Sequence, residues 1–292
     1  MTYLLEPFQY DYMVNAFLIS ALICAVCAFL SCFLMLKGWS LIADALSHAT
    51  VPGVAIAYIL GLPFSIGAFV SGGFAAFSIL FIKQNTILKE DVAIGVIFTT
   101  FFAIGLFILS ISPSSVDLQQ ILMGNILSIA PWDALQMLMI SLVTLAFLAL
   151  YWKHLLMVFF DEGQAKTSGI NTVLIKVLFF ACLSATTLAA MQTVGALLVI
   201  AVIVTPGATA YLLTDKFNHI IIISIAIGVT SAFLGSYTSF FFDGVTGALI
   251  VCFQLTFFIL AFLFAPKYGL IKQLLATKKL NTKNLQLGAD HV

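Results

Sequence analysis

Long apolar stretches recur along the whole chain, and short polar connections separate them. A run of about 20 apolar residues has the length at which an α-helix crosses the hydrocarbon core of a bilayer. We therefore predict an all-α fold, a polytopic membrane helix bundle of about nine transmembrane helices. The predicted spans are residues 13–36, 40–60, 64–82, 92–112, 132–151, 173–190, 194–213, 220–242 and 246–265.

The overall composition supports the same class of protein. The 292 residues are 62% hydrophobic and 8% charged, and the mean hydropathy is +1.16. A soluble domain could not bury so much apolar surface, so we expect membrane lipid as the main surroundings of the chain. The net charge of zero gives no reason to expect nucleic acid as a partner. We expect one transmembrane domain, residues 1–265, and a cytoplasmic tail, residues 266–292.

The charged residues predict the orientation of the chain. With the N-terminus outside, all 12 basic residues, every one of them lysine, fall on inner connections or in the tail. The outer connections then contain carboxylates and no lysine: Glu6, Asp11, Asp117, Asp133 and Asp243. This distribution follows the positive-inside rule. It predicts an odd number of spans, with the N-terminus outside and the C-terminus in the cytoplasm.

Asp44 and His48 are ionisable residues within an apolar predicted span. Such residues cost roughly 2.5–3.5 kcal/mol at a helix centre and usually have a function. A spacing of four places both side chains on one helix face, where carboxylate oxygen and imidazole nitrogen suit Mn²⁺, Fe²⁺ or Zn²⁺. Two ligands do not fill a coordination shell, but a homodimer would supply a second pair. The alternative is a buried hydrogen bond that stiffens the bundle.

Three further features are weaker candidates for a role in transport. Pro52 and Gly53 follow the pair and are expected to break its helix, as happens near the binding sites of transporters. Gln192 is a possible polar lining of a path, with helix packing as the alternative. An ordinary turn is enough to explain Asp243, and the alternative is that Asp243 attracts cations in an outer vestibule.

The inner connection at about residues 152–172 predicts a short helix. Asp161 followed by Gln164 matches a capping box at a helix N-terminus, and Gly169 could end the helix in the left-handed conformation. A short capped helix that projects into the cytoplasm suits the groove of a partner protein. The alternative is an ordinary interfacial helix.

Together these motifs resemble one known family, and the resemblance covers about residues 5–270. The run from Leu36 to Gly53, which contains the Asp44–His48 pair, is similar to the signature of the ABC-3 family of manganese, zinc and iron permeases. The other matching segments are residues 160–170, 194–199, 205–210, 246–248 and 264–269.

The resemblance implies a function and a set of partners. Family members are permease subunits of importers in the bacterial inner membrane. They pair with a second permease copy, dock two cytoplasmic ATP-binding subunits and receive metal from an extracytoplasmic solute-binding protein. It also implies that the chain is not an enzyme, holds no permanent cofactor and carries Mn²⁺, with Zn²⁺ or Fe²⁺ as alternatives. Asp44 and His48 match the metal pair, and the coupling loop to the ATPase contains Asp161, Glu162, Gly163, Gln164, Ala165 and Gly169.

Two rivals come from other functional classes. A proton-coupled secondary transporter could use Asp44 and His48 as a proton relay. An intramembrane metalloenzyme would need a motif such as His-Glu-x-x-His, which the sequence lacks.

Overall fold

The computed structural model describes residues 5–62, 64–87, 89–111, 126, 131–196, 198–265, 269 and 272. Regular structure in these residues is entirely helical. A short 3-10 helix, Glu6–Gln9, precedes eleven α-helices. They are α1 (Asp11–Lys37), α2 (Ile42–Ala49), α3 (Val51–Leu60), α4 (Phe64–Asn85), α5 (Glu90–Ile111), α6 (Pro131–Phe160), α7 (Glu162–Thr167), α8 (Thr172–Val194), α9 (Val199–Leu213), α10 (Phe217–Phe242) and α11 (Thr246–Phe264).

The predicted class, an all-α membrane bundle, is confirmed. Within the described residues, seven helical segments are long and apolar enough to cross a bilayer, the continuous stretch Ile42–Leu60 among them. The third and seventh predicted spans correspond instead to the shorter apolar helices Ile66–Ile82 and Val199–Leu213. The count of nine spans and the orientation of the termini stay predictions. The proposed cytoplasmic tail, residues 266–292, lies almost wholly outside the described residues, as does Asp117.

One predicted span is too short. The hydropathy pattern ends the fifth span at residue 151, but α6 continues to Phe160. The helix passes through Lys153 and His154, which are exposed, because the next turns carry Leu155 and Phe159, both buried in the core. Burial of one face therefore extends the helix beyond the uniformly apolar stretch.

The predicted break in the second span lies at Thr50, between α2 and α3. Pro52 sits in the first turn of α3, where a missing N–H is tolerated. The Ala49 carbonyl at this break accepts a hydrogen bond from the Ser71 hydroxyl at 2.6 Å. A side chain of α4 thus satisfies a backbone group that apolar surroundings would otherwise leave unpaired.

Helix α1 runs through the centre of the bundle and packs against α10, α9, α6 and α8. Small residues allow the close approach. A Cβ on Gly228 of α10 would come within 2.7 Å of the Cys24 carbonyl oxygen, and the Ser224 hydroxyl donates to the Ala28 carbonyl at 2.8 Å. Such small residues and short hydroxyl bonds are the usual contacts between helices in membranes.

Ser31 of α1 stabilises the irregular middle of α9. Pro206 lies inside that helix and removes one of its backbone hydrogen bonds. The Gly207 N–H donates to the Ser31 hydroxyl oxygen at 3.0 Å, and the same hydroxyl donates to the Val204 carbonyl at 3.0 Å. A side chain from the central helix thus replaces part of the bonding that α9 gives up at its proline.

Helices α3 and α4 touch backbone to backbone. A Cβ on Gly53 would lie 2.0 Å from the Gly67 carbonyl oxygen, and one on Gly67 would lie 2.1 Å from the Gly53 carbonyl oxygen. On the other side of α3, a Cβ on Gly105 of α5 would lie 2.9 Å from the Pro52 nitrogen. The segment that follows Asp44 and His48 is therefore held between α4 and α5 at glycine contacts.

We predict that Gly67→Ala destabilises the protein by about 1–3 kcal/mol, the usual cost of overpacking a closed contact. Thermal unfolding of the purified protein in detergent checks this as a fall of several degrees in the midpoint. Gly73→Ala is the matched control on the same helix, because a Cβ there meets nothing within 4 Å. Equal midpoints for the two variants would contradict the proposed closeness of α3 and α4.

Candidate metal site

Helix α2 brings Asp44 and His48 together. His48 Nε2 lies 3.5 Å from Asp44 Oδ1, and the two side chains are 15% and 36% exposed, respectively. This distance is long for a hydrogen bond. It is close to the separation of about 3.4 Å between two ligands that each bind one tetrahedral ion at about 2.1 Å. The separation is therefore compatible with two ligands of one divalent cation, and a role for the pair in metal binding stays a prediction.

Two phenylalanines of α5 fix the orientation of the His48 ring. The centroids of Phe98 and Phe102 each lie 5.2 Å from that of the imidazole, in edge-on arrangements, and the two phenyl rings stack on each other at 6.1 Å. His48 Nδ1 is buried and has no hydrogen-bond partner among the described residues. Nε2 is the ring nitrogen that faces the Asp44 carboxylate.

The described residues give only part of a coordination shell at Asp44 and His48. The described residues contain no group of three or more His, Cys, Asp or Glu side chains that could hold a metal ion together. An ion at Asp44 and His48 would need further ligands, from water or from a second protein chain. The completion of the site by a second permease copy stays a prediction.

The two other predicted lining residues lie on different helices. Gln192 is half-buried near the end of α8. The sulfur of its neighbour Met191 accepts a hydrogen bond of 3.6 Å from the Thr50 hydroxyl, at the break between α2 and α3. Asp243 is exposed and ends α10 with a φ of +46°. Helix α10 packs chiefly against α1, α11 and α9, whereas α2 packs against α5, α8, α4, α9 and α3. A role for either residue in lining a path stays a prediction.

The predicted short helix in the connection after α6 is present as α7. Asp161 caps its N-terminus by accepting a hydrogen bond from the Gln164 N–H at 3.0 Å. A Cβ on Gly163 would lie 3.2 Å from the capping oxygen of Asp161. Gly169 follows the helix with a φ of +77°, and Ala165 is fully buried. The sequence therefore predicts the local structure of this segment correctly.

Glu162 connects α7 to the start of α8. One carboxylate oxygen pairs with Lys176 of α8, and the other lies 3.2 Å from Lys166 and 3.4 Å from the Thr172 hydroxyl. The Lys176 side chain is 13% exposed, against 62% for Lys166. Hydrogen bonding to Lys176 is the main cause that lowers the pKa of Glu162 to about 2. The ionised carboxylate is thus held between two helices.

Several of these partners escaped the sequence analysis. Phe98 and Phe102 are spaced by four residues, which indicated only one face of an apolar helix. Lys176 lies 14 residues from Glu162, too far along the chain for a local pairing rule to find. Only the chain reversal after α7 brings these two charges together.

Comparison with known proteins identifies the family of the chain. Residues 9–265 match the ABC 3 transport family. The chain belongs to that family. A manganese transport system membrane protein of Synechocystis, MntB, is 46% identical over 271 residues, 93% of this chain and 89% of that protein. A chelated iron transport system membrane protein of Yersinia pestis, YfeC, is 56% identical over 268 residues, 92% of this chain and 91% of that protein.

A solved structure has the same architecture as this ABC 3 family chain. It is PsaBC from Streptococcus pneumoniae in complex with Fab, with a TM-score of 0.82 and 36% sequence identity. The match covers 93% of this chain and 99% of the PsaBC chain. The fold described above is therefore that of an ABC 3 family membrane subunit, and the chain is a multi-pass membrane protein.

We predict that Lys176→Met raises the pKa of Glu162 from about 2 towards its ordinary value of 4.5, because the main partner of the carboxylate is lost. In the wild type, the stability supplied by ionised Glu162 is fully present above pH 4.5 and is lost as the pH falls towards about 2. The ¹³C chemical shift of the Glu162 carboxyl carbon, followed against pH in lipid nanodiscs, measures the change.

Lys166→Met is the matched control for this prediction. Lys166 also pairs with Glu162 but is mostly exposed, so water screens its charge and its removal should shift the titration less. A larger shift in Lys166→Met than in Lys176→Met would contradict the assignment of Lys176 as the principal partner.

Proposed function

We propose that this chain is the permease subunit of an ATP-binding cassette importer in the bacterial plasma membrane, and that its cargo is a divalent transition metal. The main observation in support is the Asp44–His48 pair, whose side chains lie at a separation that suits two ligands of one ion. Membership of the ABC 3 transport family supports the importer class. The chain then performs no hydrolysis itself, and ATP is consumed by a partner.

Mn²⁺ is our first candidate for the cargo, and Fe²⁺ is the second. One carboxylate with one imidazole suits both ions. An imidazole ligand discriminates against Mg²⁺, which prefers oxygen ligands and keeps its water. Relatives named for manganese transport support the first candidate, and a relative named for chelated iron transport, at 56% identity, supports the second. Zn²⁺ has less support, because neither group of relatives is named for it.

The proposed mechanism is alternating access by a pair of permease copies. A solute-binding protein delivers the metal on the outer side, and the two Asp44–His48 pairs accept it. Two ATP-binding subunits dock on α7 of each copy, and their cycle of ATP binding and release changes which side of the membrane the site faces. The fixed imidazole and carboxylate replace water on the ion, and this exchange selects the cargo.

We predict that Asp44→Ala and His48→Ala each lower Mn²⁺ uptake by about 10-fold to 100-fold, the usual effect of weakening a metal site. The assembled complex with its ATP-binding and solute-binding partners, reconstituted into liposomes, allows uptake of Mn²⁺, Fe²⁺ and Zn²⁺ to be compared. Size-exclusion chromatography checks that the variants still assemble.

Asp11→Ala and His154→Ala are the matched controls, since both residues are exposed in this chain and remote from α2 in sequence. Near wild-type uptake in both Asp44→Ala and His48→Ala would exclude the proposed site. Faster uptake of Fe²⁺ than of Mn²⁺ would make Fe²⁺ the cargo in place of Mn²⁺. Uptake that survives removal of the ATP-binding partner but collapses with the proton gradient would exclude the importer and favour a secondary transporter.

A further inference from the structure

Trp39 contacts the helices on both sides of α7. Its indole is 3% exposed. The ring centroid lies 5.3 Å from Phe159, the penultimate residue of α6, with the two planes at 82°. It lies 5.4 Å from Phe180 of α8, with the planes at 37°. Since α6 leads into α7 and α8 follows it, the indole is inserted between the two helices that carry α7.

Helix α7 is firmly attached to both of these helices. Only Asp161 separates it from the end of α6, and Asp161 is fixed as the cap of α7. Glu162 ties α7 to Lys176 of α8, and fully buried Ala165 joins the short helix to the hydrophobic core. A displacement of α7 therefore has to displace the end of α6 and the start of α8, and with them Phe159 and Phe180.

Trp39 is also the residue that leads into the helix of the metal pair. The backbone N–H of Trp39 donates to the Leu34 carbonyl of α1 at 2.9 Å, and the backbone carbonyl of Trp39 accepts from the Ile42 N–H of α2 at 3.4 Å. The Trp39 and Ile42 side chains line one small gap together with Phe180. Ile42 is the first residue of α2, and Asp44 follows within the same turn.

We propose that Trp39 is a positioning residue that transmits movement of α7 to Asp44 and His48. This inference rests on the proposed importer function. The buried Trp39 residue is the physical link: its indole contacts Phe159 and Phe180, and its backbone carbonyl accepts the hydrogen bond from the first residue of α2. A large rigid side chain in a close-packed core passes on a displacement, whereas a small one leaves space that absorbs it.

The test compares uptake with ATP hydrolysis in the reconstituted complex of permease, ATP-binding and solute-binding partners. In Trp39→Leu we expect the number of Mn²⁺ ions taken up per ATP to fall by about tenfold, within the usual range of coupling effects. ATP hydrolysis should stay within about twofold of wild type, and the KM for Mn²⁺ should not change. Trp39→Phe keeps a smaller ring, so its Mn²⁺ uptake per ATP should lie between the values of the wild type and Trp39→Leu.

Trp132→Leu is the matched control, because Trp132 is 73% exposed at the start of α6 and the same side-chain atoms are removed. Its uptake per ATP should equal that of the wild type. If Trp39→Leu does not assemble, Trp39→Phe decides: a lowered ratio supports the inference, and a wild-type ratio overturns it.

Two results overturn the inference while the proposed function stands. One is a wild-type ratio of uptake to hydrolysis in Trp39→Leu. The other is a ratio that recovers fully at saturating Mn²⁺, since the variant would then have altered only the affinity of the metal pair. Lack of Mn²⁺, Fe²⁺ and Zn²⁺ uptake by the wild-type complex would instead overturn the proposed function.

Discussion

An ionisable pair in an apolar helix bundle is the constraint on which the rest of this structure depends. Ionisable side chains within an apolar span are costly, and the surrounding helices leave His48 15% and Asp44 36% exposed. The helix that carries them is short and ends at Thr50, and α5 provides two aromatic rings against the imidazole. The neighbouring helices then fix this pair so that the carboxylate and one ring nitrogen face each other.

The same constraint governs the backbone. Apolar surroundings penalise each unpaired carbonyl or N–H, and this chain contains a helix break at Thr50 and a proline inside α9. At both places a serine from another helix supplies the missing partner: Ser71 at the first and Ser31 at the second. At these two places irregular backbone has a partner from a neighbouring helix, and both lie in segments that resemble motifs of the family.

The sequence predicts those features that depend on local pattern. Apolar runs locate the helices, because burial in lipid needs no knowledge of neighbours. Asp161 and Gly169 bound α7 correctly, because a capping side chain and a left-handed glycine act within a few residues. The spacing of Asp44 and His48 predicts a shared helix face for the same reason. The actual end of α6 depends on core contacts of Leu155 and Phe159, and hydropathy alone therefore misplaces it.

Tertiary neighbours of the candidate site could not be predicted in this way. Phe98 of α5 contacts His48 of α2. Trp39 contacts Phe159 and Phe180, which lie more than a hundred residues further along the sequence. In a chain with so many aromatic side chains, 28 of them phenylalanine, no pattern distinguishes the few rings that touch His48 or the helices on either side of α7. These contacts follow from the topology of the bundle.

The glycine contact between α3 and α4 has a mechanical consequence. Two backbones that meet at Gly53 and Gly67 leave no clearance for one helix to slip lengthwise along the other, since any residue with a Cβ would collide there. We therefore expect α3 and α4 to move together as one unit in any rearrangement of the bundle. The helix interruption at Thr50, just after Asp44 and His48, marks the boundary between that unit and α2.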